Sequence, residues 1–148
     1  MRKIDTGEYI SMLRELVENG HEVSVKISGD SMYPFLHDGR DTAFFKAPDR
    51  ELRVGDIVFF RRSNGQYILH RICKIDEHGY YLVGDSQRQV EGPISAEQIF
   101  ALVTHIERNG KTVKPGDFLW DFYAKLWLRI IPLRTRIIRL CTPGFGKK

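Results

Sequence analysis

The sequence predicts a mainly β fold of the α+β class, with one helix at the N-terminus and one or two at the C-terminus. Three observations predict it. Val23, Val25 and Ile27 alternate with Ser24, Lys26 and Ser28, the period of a strand with one buried face. Two β-rich runs, 57–62 and 67–75, flank Ser63-Asn64-Gly65-Gln66, and Asn-Gly between such runs signals a hairpin. Helical spacing of apolar residues is confined to the two ends.

In chain order, residues 5–19 read as an amphipathic helix. Asp5 can cap it, Glu8 sits at the third helical position, Ile4 and Tyr9 are spaced as a hydrophobic staple, and Asn19-Gly20 supplies a stop. Its buried stripe is expected to be Ile10, Leu13, Leu16 and Val17. The strand 23–28 then delivers the chain to Ser31; Asp38-Gly39 turns, and Thr42–Phe45 forms a second short strand. In the second strand of the hairpin, Ile68, His70, Ile72 and Lys74 share one face, while Tyr67, Leu69, Arg71, Cys73 and Ile75 share the other. Residues 76–79 turn, 80–83 is a strand closed by Gly84-Asp85-Ser86, 99–107 is another, and Asn109-Gly110 turns back toward 111–114.

From Asp117 the pattern changes to a helical segment rich in large apolar residues, Phe118 to Ile131, including Trp120 and Trp127. Pro132 can begin a second helix over Leu133–Leu140, ended by Thr142-Pro143-Gly144. The chain thus divides into a β-rich part, 1–116, and a basic amphipathic tail, 117–148. The net charge of +4 is unevenly spread: residues 111–148 hold nine Lys or Arg against two Asp, a local +7, leaving −3 in residues 1–110. The basic character therefore concerns what the tail touches. Two readings stand level: residues 118–140 lie on a membrane surface, or their apolar stripe closes the domain's own core.

At 148 residues, 42% hydrophobic and 28% charged, the chain suits one globular domain. Cys73 and Cys141 match no metal-ligand spacing, so neither a metal nor a cofactor is expected. Charged residues through 1–20 leave no stretch resembling a signal peptide or membrane span, which suggests a cytoplasmic or peripherally membrane-associated protein. Residues 1–21 are too short for a helix-turn-helix domain, and no nucleic-acid partner is expected.

The chemistry centres on Ser28-Gly29-Asp30-Ser31-Met32-Tyr33-Pro34-Phe35-Leu36. Gly29 lets the backbone bend, Met32 can fill an apolar gap beneath the turn, and Pro34 stops the strand, which holds Ser31 out as a candidate nucleophile. The same residues could simply cap a loop.

Ser28-Gly29-Asp30-Ser31-Met32 with Pro34 and Leu36, then Gly55-Asp56-Ile57-Val58-Phe59, Leu69-His70-Arg71-Ile72 and Gly84-Asp85-Ser86, resemble in order the boxes of the signal peptidase I and LexA-type superfamily of serine peptidases. The resemblance spans residues 22 to about 104 and implies a signal-peptidase/LexA-type β-rich catalytic domain. His70 stands before Arg71, where bacterial signal peptidases and the repressors have a lysine and the archaeal and endoplasmic-reticulum signal peptidases a histidine. The resemblance is therefore to the histidine-base subclass, although the membrane anchor that precedes the serine box in typical signal peptidases has no counterpart.

A serine needs a base to take its proton, and an imidazole serves near neutral pH without the desolvation a lysine requires. The implied catalytic set is Ser31 as nucleophile, His70 as base and Asp85 as the acid orienting the ring. Ser86 stands where the subclass has asparagine, and Gly29 where several relatives have an oxyanion-donating serine; this leaves the Ser31 N–H and Ser28 as candidate donors. Lys74 is the fallback base, while His21, His37, His78 and His105 look structural. The expected activity is endoproteolysis of an extended peptide or precursor protein. A peptide-binding module that has lost catalysis and a LexA-type self-cleaving regulator are the alternatives.

Overall fold

A computed structural model describes residues 6–141. Asp5, Ile4 and the 142–144 stop lie outside the described residues, as do the side chains of Glu8, Arg139 and Cys141. Helix α1 (Thr6–Glu18) precedes β1 (Val23–Lys26), β2 (Asp41–Lys46), β3 (Ile57–Arg61), β4 (Tyr67–Asp76), β5 (Gly79–Val83), β6 (Glu91–Ile94), β7 (Ile99–Arg108) and β8 (Lys111–Val113). The tail is α2 (Phe118–Asp121), a π-helical stretch Phe122–Leu126, α3 (Trp127–Arg129) and α4 (Ile131–Cys141). The strands form an antiparallel sheet in the order β1-β2-β7-β3-β4-β5-β6, with β8 added to the far end of β7. The architecture is a β-rich domain with helices at both ends.

Strand β3 is buried on both faces, which explains its unbroken run Ile57-Val58-Phe59-Phe60. Ile57 and Phe59 enter the larger core, built with Met32, Phe35, Leu36, Phe45, Ala101 and Ile106. Val58 and Phe60 enter a second core with Ile72, Leu82, Ile94 and Leu102. β4 keeps the expected alternation as far as Ile72, with Tyr67 and Leu69 packed on the first core and Ile68 and Ile72 on the second. A bulge between Ile72 and Lys74 then breaks the facing.

The two Asn-Gly pairs behave differently. At Asn109-Gly110 both residues take positive φ, 52° and 78°, the geometry of a two-residue primed turn joining β7 to β8. At Asn64-Gly65 only Gly65 does, and Arg62 N–H donates to Gln66 C=O at 2.7 Å across a longer loop. Other expectations also need correction. Leu16 is exposed, so among the described side chains of α1 the buried apolar ones are Ile10, Leu13 and Val17. β6 was not expected: Gly92 and Pro93 within it are poor strand formers, and pairing with β5 holds them there. Trp120 and Trp127 are both buried, Trp120 in the larger core, so the tail packs on the sheet.

Candidate active site

Ser31 leaves β1 through Gly29, whose φ of +84° lies in the left-handed region and lets the chain turn away from the sheet. The turn that follows is anchored from below. Met32, Phe35 and Leu36 are buried in the larger core, and Leu36 N–H donates to Met32 C=O at 2.8 Å. At its far end the buried carboxylate of Asp41 accepts from Arg40, Arg108 and the His37 N–H, and Arg108 also donates to Phe35 C=O. These donors hold the Asp41 carboxyl below the usual range despite its burial. Ser31 itself stays half-buried, its neighbours pinned in the core and its own side chain on a cleft.

The cleft has a volume of about 530 Å³ and is lined by Val25 and Lys26 of β1, by Ile27, Ser28, Gly29, Ser31 and Met32 that follow, by Phe59 and by β4 from Tyr67 to His70. Ser31 and His70, well separated in sequence and in different elements, thus line the same cavity. His70 lies on β4 opposite Val58, is 4% exposed and packs 6.1 Å from the Phe60 ring. Burial holds its imidazole neutral down to a pKa of about 4; the Glu91 charge works against that shift and the Arg62 charge with it. Its Nδ1 is buried without a hydrogen-bond partner. The ring also lines a neighbouring, more polar cleft of about 700 Å³ with Arg62, Gln87 and Glu91.

Asp85, expected to orient the His70 ring, does something else. Its two carboxylate oxygens accept from Nε and Nη2 of Arg71 at 2.9 Å each, with both residues fully buried, and Arg71 Nη1 donates to Gly55 C=O at 2.9 Å. The physical reason is strand parity: Arg71 follows His70 and so faces away from it, and the acid that neutralises a buried guanidinium is drawn to that opposite face. Lys74 is exposed, beside Asp76 and the Tyr81 ring, and does not reach the cleft. Asp56 fixes the turn before β3, accepting from Arg50 and from the Arg53 N–H.

The Gly84–Gln87 turn abuts the serine directly. Ser86 N–H donates to Ser31 C=O at 3.1 Å, and Ser86 Oγ donates to Asp30 C=O at 2.9 Å and to Ser31 C=O at 3.1 Å. A Cβ on Gly84 would strike Ser31 C=O and the Gln87 side chain. Ser86 at the asparagine position is therefore a structural fastener of the serine loop.

Sequence reasoning missed Glu91, Arg62 and Gln87. Arg62 grips the Glu91 carboxylate through Nε and Nη2 at 2.8 Å each, joining the β3–β4 loop to β6 beside His70. No motif marks these residues; they meet only because β6 pairs with β5 and folds back past the hairpin.

The arrangement offers a hydroxyl, a neutral imidazole and a sheet edge on one cleft. A family model described as Peptidase S24-like matches residues 2–105, a span that contains Ser31, His70 and Asp85 and stops before the tail helices. Comparison with curated proteins and with solved structures finds no match.

Proposed function

The chain belongs to the Peptidase S24-like family, within the LexA and signal peptidase I type of serine peptidases, and on that premise we propose that it is a serine endopeptidase working through Ser31 and His70. The observation that carries this is the shared cleft: a half-buried serine on an anchored turn and a buried imidazole that is unprotonated at neutral pH line the same cavity. An extended peptide would lie along β1, which ends the sheet and lines the cleft through Val25 and Lys26. His70 accepts the Ser31 hydroxyl proton as Oγ attacks the scissile carbonyl. The Ser31 N–H faces the oxyanion, and the imidazolium returns its proton to the leaving amine; water then releases the acyl group by the reverse proton path.

In this reading Glu91 takes the electrostatic part expected of Asp85, because its charge is the one that favours the imidazolium formed during attack. The resemblance to the histidine-base subclass rests on His70 preceding Arg71. Cleavage of a candidate precursor peptide tests the assignment, with circular dichroism as the folding control. Ser31→Ala and His70→Ala are each expected to abolish turnover and keep the fold, and undiminished turnover in either would overturn it. A noncatalytic peptide-binding module predicts unchanged peptide binding and no turnover even in the wild type.

The tail supports a membrane-facing partner for the same protein. Phe118 is 85% exposed, Leu126 52%, Leu133 53% and Leu140 82%, and α4 sets Leu133, Arg136 and Leu140 outward while Arg134 and Ile138 are buried. Residues 122–148 contain seven Lys or Arg and no acid. Among the described residues no helix is long and apolar enough to cross a membrane, and the pattern suits an in-plane contact with anionic lipid. Sedimentation with phosphatidylcholine vesicles, with and without phosphatidylglycerol, checks it. Binding confined to the anionic vesicles and lost in Leu133→Glu/Leu140→Glu is expected; no binding to either would refute it.

A further inference from the structure

The turn that fastens Ser31 is itself held from the tail. Trp127 Nε1–H donates to Asp85 C=O at 2.7 Å. Arg134, fully buried, donates through Nη1 to Gly84 C=O at 2.9 Å and to Gln87 C=O at 3.2 Å, and through Nη2 to Trp127 C=O at 3.0 Å. Its guanidinium lies 5.5 Å from the centroid of the Trp127 ring, so the two side chains form one unit. Every carbonyl of the turn except that of Ser86 is therefore met by a tail side chain, and Ser86 is the residue that reaches across to Ser31.

The chemistry of Arg134 is unusual for a packing residue. Among the described residues it has no carboxylate partner, its Nε has no acceptor, and burial pulls its pKa down. An apolar side chain at that helical position would fill the space without desolvating a charge. What an apolar side chain cannot do is reach three carbonyls at once, which the planar fork of a guanidinium does. Arg71 holds the Asp85 carboxylate from β4, but beyond the turn residues 87–90 are exposed and belong to no strand until β6 begins at Glu91, so the side-chain donors to the turn's carbonyls come from the tail. Both tail residues lie beyond residue 105, where the family match ends.

We propose that Trp127 and Arg134 are positioning residues for the nucleophile, holding the Gly84–Gln87 turn from the tail and, through Ser86, fixing the main chain that carries Ser31. The catalytic half of this rests on the serine peptidase reading. The structural half does not. Movement of α3 and α4 is transmitted to Ser31 through hydrogen bonds, so the tail becomes part of the machinery that sets the geometry of attack.

Two readouts on the full chain test it: amide hydrogen exchange at Ser86 by NMR, and the rate at which a fluorophosphonate labels Ser31, with Ser31→Ala as the blank. Trp127→Phe keeps an aromatic ring and removes the N–H donor together with part of the indole's volume, so the β3 and β7 amides serve as the control for packing loss. Ser86 exchange is expected to rise about tenfold, the worth of one hydrogen bond, and labelling to slow by a similar factor, while amides of β3 and β7 keep their protection. Arg134→Met is expected to act in the same direction and more strongly; if it does not fold, Trp127→Phe carries the test. Unchanged exchange and labelling in Trp127→Phe would overturn the proposal, as would a parallel loss of protection in β3 and β7, which marks general destabilisation. A wild-type protein that takes no label counts against the peptidase reading itself, and Ser86 exchange then still decides whether the clamp exists.

Discussion

Lowering the pH is the cleanest perturbation of His70, because the buried ring must be charged at a cost the unfolded chain does not meet. In the unfolded chain the imidazole takes its proton near 6.5, whereas in the fold it does so only at about 4. Between those values the unfolded state binds more protons than the native state, so stability rises with pH through that window and falls as the solution is acidified. At about 1.36 kcal/mol per pH unit, the interval amounts to about 3 kcal/mol, a large part of the roughly 5–15 kcal/mol that holds a domain of this kind together. Urea unfolding of the wild type and of His70→Gln at a series of pH values isolates it. The wild type is expected to lose about 3 kcal/mol relative to the variant between pH 7 and pH 4. An NMR titration of the ring is expected to show its midpoint near 4, and the acidic limb of Ser31 labelling should follow it. A ring that titrates near 6.5, with parallel stability curves for the two proteins, would refute the reasoning.

Asp85→Asn leaves Arg71 buried without its counter-charge and is expected to destabilise the fold by about 3–5 kcal/mol, while Asp85→Asn/Arg71→Met recovers part of the loss in thermal unfolding. Gly84→Ala places a methyl against Ser31 C=O and is expected to lower the melting temperature and to slow Ser31 labelling more than tenfold; wild-type behaviour in both would refute the close packing. Truncation after Gly116 removes the buried Trp120 and Trp127 and the Arg134 clamp, so no cooperative melt is expected, and a folded, active fragment would show that the tail is dispensable.

Local periodicity made much of this protein legible. The alternation of 23–27, the continuous apolar run of 57–60 and the helical spacing at both ends translate directly into elements, because each reports which face of a short segment is buried. The turn that carries Ser31 was legible for a related reason: Gly29 bends the chain at positive φ and Met32 seats the turn in the core. Strand parity likewise separated Arg71 from His70. What parity could not supply was the partner of each: both belong to the same strand, and only the packing of β5 and β6 decides that Asp85 goes to Arg71 while Glu91 comes beside His70. Leu16 looked like a buried position because its spacing fits a helical stripe, yet the sheet covers a narrower face of α1 than the stripe offers. The tail shows the same division. Its composition left membrane contact and core packing level, since large apolar residues serve either, and the fold assigns them separately: Trp120 and Trp127 inward, Phe118, Leu133 and Leu140 outward, and Arg134 buried to clamp a turn fifty residues earlier. Sequence fixes what a residue prefers over one or two turns of chain, but which long-range partner satisfies a buried charge or carbonyl is set by the sheet order, and that exists only in three dimensions.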